Sequence, residues 1–80
     1  MRLDKYLKVS RIIKRRTVAN EACDAGRVLV NGKPARASYD IKIGDVNEIS
    51  FGARLFKAKV NNVSEVVKKE EAANLFEIIE

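Results

Sequence analysis

The chain has 80 residues, of which 46% are hydrophobic and 34% are charged, and its net charge is +5 at pH 7. This length predicts a single domain with a modest core, and the composition excludes both a disordered chain and a membrane-spanning one. Residues 1–59 carry 14 Lys and Arg against 6 Asp and Glu, a net +8, whereas residues 60–80 carry 2 against 5, a net −3. Such concentrated positive charge favours polyanionic partners, nucleic acid first and an anionic membrane surface second.

The residues that commonly carry catalysis or bind metals are scarce. The chain has one cysteine, Cys23, and no histidine, so it offers neither an internal disulfide nor a familiar set of metal ligands. We interpret Cys23 as a small core residue, and we expect no cofactor and no enzymatic activity. The first residues also lack the apolar run of a signal peptide, which leads us to expect a cytoplasmic protein.

Residues 2–10 are predicted to form an amphipathic helix. Four residues fall on one face at helical spacing, namely Leu3, Tyr6, Leu7 and Ser10, and four cations fall on the opposite half, namely Arg2, Lys5, Lys8 and Arg11. A longer helix would turn Ile12 towards solvent, so we expect the chain to change direction over residues 10–13. Ile12 and Ile13 can then both pack inward.

A second helix is predicted over residues 18–25. Thr17 is a suitable N-cap, and Gly26 supplies the left-handed residue that commonly ends a helix. The predicted apolar face consists of small residues, namely Val18, Ala19, Ala22, Cys23 and Ala25.

Three cations, Lys14, Arg15 and Arg16, precede this helix. Cations at the positive end of a helix dipole are disfavoured by about 0.3–1 kcal/mol each. A bound phosphate would reverse this effect, because free N–H groups and guanidinium groups both favour an anion. The alternative is a solvated basic turn without a ligand, and the additional cations of the first helix lead us to favour the phosphate site.

The middle of the chain is predicted to form a small, mostly antiparallel sheet. Residues 27–30 read as a strand that enters a hairpin at Asn31-Gly32, and Pro34 restricts residues 33–37 to an edge strand or an irregular return. Two further strands are indicated by alternating patterns: Ile49 and Phe51 in the first, and Phe56, Ala58 and Val60 in the second.

The last part of the chain is more acidic and is rich in helix formers. We predict a helix from about residue 68 to residue 79, with Ala72, Leu75, Phe76 and Ile79 on one face. Packing of this face against the sheet is favoured over docking of a protein partner. The predicted fold is therefore α+β: two N-terminal helices on a small sheet form a domain over residues 1–60, followed by an extension over residues 61–80 with a C-terminal helix.

Several segments together resemble the S-four RNA-binding domain, which is named after ribosomal small-subunit protein four. They are Arg2-Leu3-Asp4-Lys5-Tyr6-Leu7, Arg15-Arg16-Thr17 with Ala19, Gly26-Arg27-Val28, Val30-Asn31-Gly32 and Ile43-Gly44-Asp45. The match covers about residues 1–52. The opening run through Arg16 and the segment 68–74 are similar to one subgroup, the small RqcP-type ribosome-associated quality-control proteins of Gram-positive bacteria, which are related to a bacterial heat-shock protein.

This resemblance implies a non-catalytic protein that binds ribosomal RNA of the large subunit, with tRNA as a second candidate RNA, on subunits obstructed by peptidyl-tRNA. An RqcH-type tRNA-recruiting protein is the implied partner, and C-terminal alanine tailing of the stalled chain is the implied task. The protein itself is expected to be a monomer. The implied RNA-binding residues are Arg2, Lys5, Arg11, Lys14, Arg15, Arg16, Arg27 and Lys33.

Two other functions stay open. One is a general structured-RNA-binding or ribosome-associated stress protein, and the other is a DNA-binding helix-turn-helix, although Asn20, Glu21 and Asp24 would make a poor surface for the major groove. Because Tyr6 falls on the core face, and Phe51 and Phe56 belong to strands, we do not expect an aromatic platform for single-stranded RNA.

Overall fold

The computed structural model describes residues 1–64 and 68–79. Its elements are α1 (Leu3–Val9), α2 (Arg16–Asp24), β1 (Val28–Val30), β2 (Lys33–Pro34), β3 (Val46–Phe51), β4 (Arg54–Val60), a 3-10 helix (Lys69–Leu75) and β5 (Phe76–Ile78). The five strands form one antiparallel sheet in the order β2-β1-β3-β4-β5. This confirms the predicted α+β class. Among the described residues, no helix is both long enough and apolar enough to cross a bilayer.

The first helix follows its apolar pattern. Leu3, Tyr6, Leu7 and Ser10 are all buried, as predicted from their spacing. The helix ends at Val9, and Arg11 then adopts a left-handed backbone conformation with φ 64°. This turn directs Ile13 into the core and leaves Ile12 half-buried against it, so the predicted change of direction is confirmed.

The predicted start of the second helix is wrong. The helix begins at Arg16, and Arg15 rather than Thr17 occupies the N-cap, with extended backbone and no side-chain cap. Ala19 and Cys23, which lie four residues apart, are then the residues that turn inward. These two small side chains let α2 pack closely on α1, and the side-chain cap that the helix lacks would contribute only about 1 kcal/mol.

The apolar face of α2 is also narrower than predicted. Val18 is 49% exposed, and Ala25 lies outside the core as well. The predicted end of the helix is confirmed, since Gly26 has φ 77° and its N–H donates to the carbonyl of Cys23. The N–H of Arg27 donates to the carbonyl of Ala22, which completes a Schellman-type ending and leads the chain into β1.

The first hairpin has the predicted geometry. Asn31 and Gly32 both have positive φ, 53° and 84°, as a two-residue turn of type I′ requires. Val30 pairs with Lys33, and β2 extends for two residues at the edge of the sheet. Pro34 has no N–H to donate, which is tolerated at a sheet edge.

The long hairpin of β3 and β4 forms the centre of the sheet. Ile49 pairs with Phe56, and Asn47 pairs with Ala58. The predicted alternation of β4 is confirmed, because Ala58 and Val60 are buried and Phe56 packs against the core. Phe51 occupies the far end of β3 and is 46% exposed, so its place in the strand is as predicted but its side chain lies outside the core.

The predicted C-terminal helix over residues 68–79 is wrong. A 3-10 helix covers Lys69–Leu75, and the chain then forms β5, which pairs with β4 along its outer edge. Leu75 is buried, and its carbonyl accepts hydrogen bonds from the N–H groups of Asn61 and Asn62. Pairing with the open edge of β4 satisfies backbone groups that a helix would have left to solvent. The preferred alternative for this segment, packing on its own domain, agrees with the burial of Ala72 and Leu75.

The core contains an unusual polar pair. Tyr6 of α1 and Asn47 of β3 are both fully buried, yet neither the Tyr6 hydroxyl nor the Asn47 side-chain amide makes a hydrogen bond of good geometry. Burial raises the pKa of Tyr6 to about 12, and the adjacent Asn47 side chain offsets part of this rise. Buried polar atoms without partners reduce stability by about 1–3 kcal/mol per group.

Replacing both residues with apolar ones of similar size, Tyr6→Phe with Asn47→Leu, is expected to raise the free energy of unfolding by about 1–3 kcal/mol. Urea unfolding at neutral pH measures this change, and each single variant serves as a control for shape. A clear loss of stability in the double variant would contradict the expectation and would show that the two polar groups are satisfied in the folded protein.

Candidate nucleic-acid interface

The buried carboxylate of Asp4 joins the two helices. Asp4 lies in the first turn of α1 and is 2% exposed. The backbone N–H of Lys5 donates to its Oδ1 at 2.8 Å, and Asn20 of α2 donates to its Oδ2 at 3.2 Å. A buried carboxylate is tolerated only with such donors around it.

Two arginines complete the shell of this carboxylate. Arg2 donates from Nε to Oδ1 at 3.2 Å and from Nη2 to Oδ2 at 3.5 Å, while Nε of Arg16 lies 3.4 Å from Oδ2. One carboxylate therefore holds the guanidinium groups of Arg2 and Arg16 side by side, although the residues are 14 positions apart. The two side chains are 51% and 47% exposed, and each guanidinium keeps donors that can face a ligand. We call Arg2, Asp4 and Arg16 the arginine pair site.

The charge on Asp4 is stabilised by these contacts. Burial alone would raise the pKa of Asp4, but the hydrogen bonds from Asn20, Arg2, Arg16 and the backbone of Lys5 outweigh that effect and hold the pKa below its ordinary value. The carboxylate is therefore ionised at neutral pH, and two guanidinium groups on one carboxylate leave a net positive charge at the site.

The start of α2 extends this positive surface. The N–H groups of Arg16, Thr17 and Val18 have no hydrogen-bond acceptor among residues 1–64 and 68–79. Lys14 and Arg15 are exposed and form no ion pair within the same part of the chain. Free amide donors, the helix dipole and neighbouring cations all favour an anion at this position.

The start of α1 differs from that of α2, because carbonyl groups of the same chain accept hydrogen bonds from its first N–H groups. The N–H of Leu3 donates to the carbonyl of Tyr39 at 2.7 Å, and the N–H of Asp4 donates to the carbonyl of Ala37 at 3.2 Å. The amino group of Met1 pairs with Asp40 at 2.7 Å. Arg2 is one of the RNA-binding residues that the resemblance implied, and α1 offers this side chain rather than its backbone.

Three of the remaining residues that the resemblance implied lie at or beside turns. Arg11 is exposed at the left-handed turn after α1, Arg27 is exposed between α2 and β1, and Lys33 is exposed at the start of β2. Lys5 is half-buried. The structure thus brings Arg2 and Arg16 into contact with one carboxylate, and it places Lys14 and Arg15 directly before the helix that carries Arg16.

Sequence reasoning missed the residues that organise this surface. The sequence alone assigns Asp4 no role beyond its place in the family resemblance, and it marks Asn20 only as a polar residue unsuited to the major groove. Their spacing contained a signal, because a helix that begins at Arg16 places Arg16 and Asn20 one turn apart on a single side. Arg36 and Tyr39, which lie beside Lys33 in a groove, were also overlooked.

The thiol of Cys23 lies in the core. Burial, with Asp4 and Asp24 nearby, raises the pKa of the Cys23 thiol to about 11, so the thiol is neutral and enclosed in the core. Across the described residues, no three His, Cys, Asp or Glu side chains come together as a metal site. Cys23 is a core residue, as predicted.

Residues 1–47 match the family model described as the S4 domain. This span is more than half of the chain and contains the arginine pair site. The chain belongs to the S4 domain family. The family resemblance recognised from the sequence is thereby confirmed.

Curated relatives of this S4 domain protein match over nearly its whole length. The RQC P-site tRNA stabilizing factor of Bacillus subtilis is 53% identical, and the match covers 99% of this chain and 92% of the relative. The factor of the same name from Streptococcus pneumoniae is 58% identical, with 99% and 90% covered. A solved structure, described as trimeric Vibrio cholerae Heat Shock Protein 15, superposes with a TM-score of 0.90 at 28% identity and covers 99% of this chain and 81% of that one.

The buried carboxylate leads to a prediction about stability. Asp4→Asn removes the charge that holds both arginines and is expected to lower the free energy of unfolding by about 1–2 kcal/mol at pH 7, since the arginines are half-exposed and solvent screens part of the interaction. The folded pKa of Asp4 is lowered, so its contribution is present above the unfolded value of about 3.9 and is lost as the pH falls through the folded value.

Urea unfolding from about pH 7 down to about pH 2 measures this effect. The gap between the wild type and Asp4→Asn should narrow as the pH falls below about 4. Asp40→Asn is the matched control, because Asp40 also has a pKa lowered by its hydrogen bond from the N-terminal amino group but lies at an exposed position. An Asp4→Asn variant as stable as the wild type at pH 7 would contradict the central role of this carboxylate.

Proposed function

We propose that this protein is a non-catalytic RNA-binding protein that acts on the large ribosomal subunit. The observation that carries the proposal is the pair of guanidinium groups that Asp4 holds beside the uncapped start of α2, with Lys14 and Arg15 next to it. Backbone phosphates of structured RNA fit this arrangement, because such RNA is recognised mainly through shape, phosphates and 2′-hydroxyls.

The task we propose is ribosome-associated quality control of stalled nascent chains. Relatives more than 50% identical over nearly the whole chain are named RQC P-site tRNA stabilizing factors, which supports tRNA as a second RNA partner beside ribosomal RNA. We further propose that the protein acts in the cytoplasm as a monomer, together with an RqcH-type tRNA-recruiting protein, and that it supports alanine tailing of the obstructed chain.

Binding to purified large subunits tests the proposal. If five or six cations contact phosphates, the logarithm of the affinity should fall with the logarithm of the salt concentration at a slope of roughly −4 to −5. Lys14→Ala and Arg15→Ala should each weaken binding and reduce that slope by about 1, because each removes one phosphate contact. Both residues are exposed and lack ion pairs among the described residues, so their thermal midpoints should not change.

Lys59→Ala is the matched control. Lys59 is an exposed cation of β4, and its neighbours Ala58 and Val60 point into the core, so Lys59 faces away from the helices. Its loss should leave binding and the salt slope unchanged. Equal weakening in all three variants would point to nonspecific attraction, and a preference for duplex DNA over ribosomal RNA in competition would overturn the proposal in favour of DNA binding.

Arg2→Ala and Arg16→Ala are less direct tests. Each removes a partner from a buried carboxylate, so each should reduce stability as well as binding. Their binding has to be compared at a temperature where both variants are fully folded.

A further inference from the structure

A groove lies between the first hairpin and the turn that follows it. Its volume is about 630 Å³, and residues from both segments line it, principally Asn31, Lys33, Pro34, Arg36, Ser38 and Tyr39. We call it the hairpin groove. Its size falls within the range of roughly 300–1,000 Å³ that is usual for sites of small ligands.

One carboxylate fixes both walls of the hairpin groove. Oδ1 of Asp45 accepts a hydrogen bond from Asn31 Nδ2 at 3.0 Å, and Oδ2 accepts one from the Tyr39 hydroxyl at 3.3 Å. The same Oδ2 accepts the N–H of Lys42 at 3.0 Å, and Oδ1 of Asn31 accepts the N–H of Val46 at the same distance. The hairpin, the turn and the start of β3 are therefore held together, and the phenol of Tyr39 is anchored at its polar end.

The chemistry of the groove suits a nucleotide. Tyr39 is 37% exposed, so its anchored ring keeps an accessible surface. Lys33 and Arg36 are exposed, and neither has an ion pair within residues 1–64 and 68–79. An aromatic face beside two free cations is the combination that binds an unpaired nucleotide, because the base stacks and the phosphate is neutralised.

We propose that the hairpin groove binds one unpaired nucleotide of the RNA, with its base stacked on Tyr39 and its phosphate held by Lys33 and Arg36. This inference rests on the proposed RNA binding and deepens it. The arginine pair site and the start of α2 grip the backbone, and the hairpin groove distinguishes RNA with a bulged or looped-out nucleotide from a continuous duplex. From the sequence we expected no aromatic platform for single-stranded RNA. That expectation considered Tyr6, Phe51 and Phe56, but not Tyr39.

Two model RNAs with the same stem test the proposal. One is a fully paired duplex, and the other carries a single bulged 2-aminopurine. Tyr39→Ala should weaken binding of the bulged RNA by roughly 5- to 100-fold, the loss expected when one base–aromatic stack is removed. Its affinity for the paired duplex should change by no more than about two-fold, because phosphate contacts alone hold that RNA. Wild-type protein should also quench the 2-aminopurine emission, and Tyr39→Ala should not.

Two control variants separate stacking from other effects. Tyr39→Phe keeps the ring but loses the hydrogen bond to Asp45, so it should retain most of the preference for the bulged RNA. Phe51→Ala removes another exposed ring at the opposite end of β3 and should leave both affinities unchanged. Circular dichroism confirms that each variant is folded at the temperature of the assay.

The outcomes distinguish this inference from the proposed function. If Tyr39→Ala binds the bulged RNA as tightly as the wild type, or loses equal affinity for both RNAs, the hairpin groove does not bind a nucleotide, while RNA binding itself stands. If the wild type binds neither RNA nor large ribosomal subunits, both proposals fall. A loss confined to the bulged RNA, with the emission change abolished, supports the inference.

Discussion

The charge of Asp4 is the constraint on which the rest of the helical layer depends. An ionised carboxylate in a core must be surrounded by donors, and here the donors come from two helices that are separate in sequence. Arg16 and Asn20 lie one turn apart in α2, and both contact Asp4 with the helix beginning at Arg16. The requirement of one buried acid therefore fixes the register of the second helix, and with it the position of the cations that precede it.

An acidic residue at the centre of a basic surface has a second effect. Long arginine side chains lose rotamer freedom when they bind a phosphate, and this loss opposes binding. Asp4 holds Arg2 and Arg16 in place before any ligand arrives, so less freedom remains to be lost. The carboxylate neutralises part of the positive charge of these two arginines while it orders their side chains. The cations without such a partner provide the net positive charge that attracts RNA over a distance.

Local patterns were sufficient for much of the fold, and long-range contacts explain what they missed. The apolar spacing located α1 and β4, and Asn31-Gly32 located the hairpin, because each depends on neighbouring residues. The start of α2 depends instead on Asp4, twelve positions before Arg16. The last segment is rich in helix formers, yet it forms only a 3-10 helix and then a short strand on the open edge of β4. The place of the Tyr39 ring in a groove depends on contacts that no local pattern marks, among them its hydrogen bond to Asp45.

The edges of the sheet have a consequence for how partners can be recognised. The outer strands are two and three residues long, and β2 contains Pro34, which has no N–H to donate. Such edges are poor templates for an incoming strand, so a partner gains little from main-chain pairing of the kind seen in β-augmentation. Recognition therefore has to come from side chains and from the free N–H groups at the start of α2. The same blunt edges discourage copies of this protein from joining through their sheets.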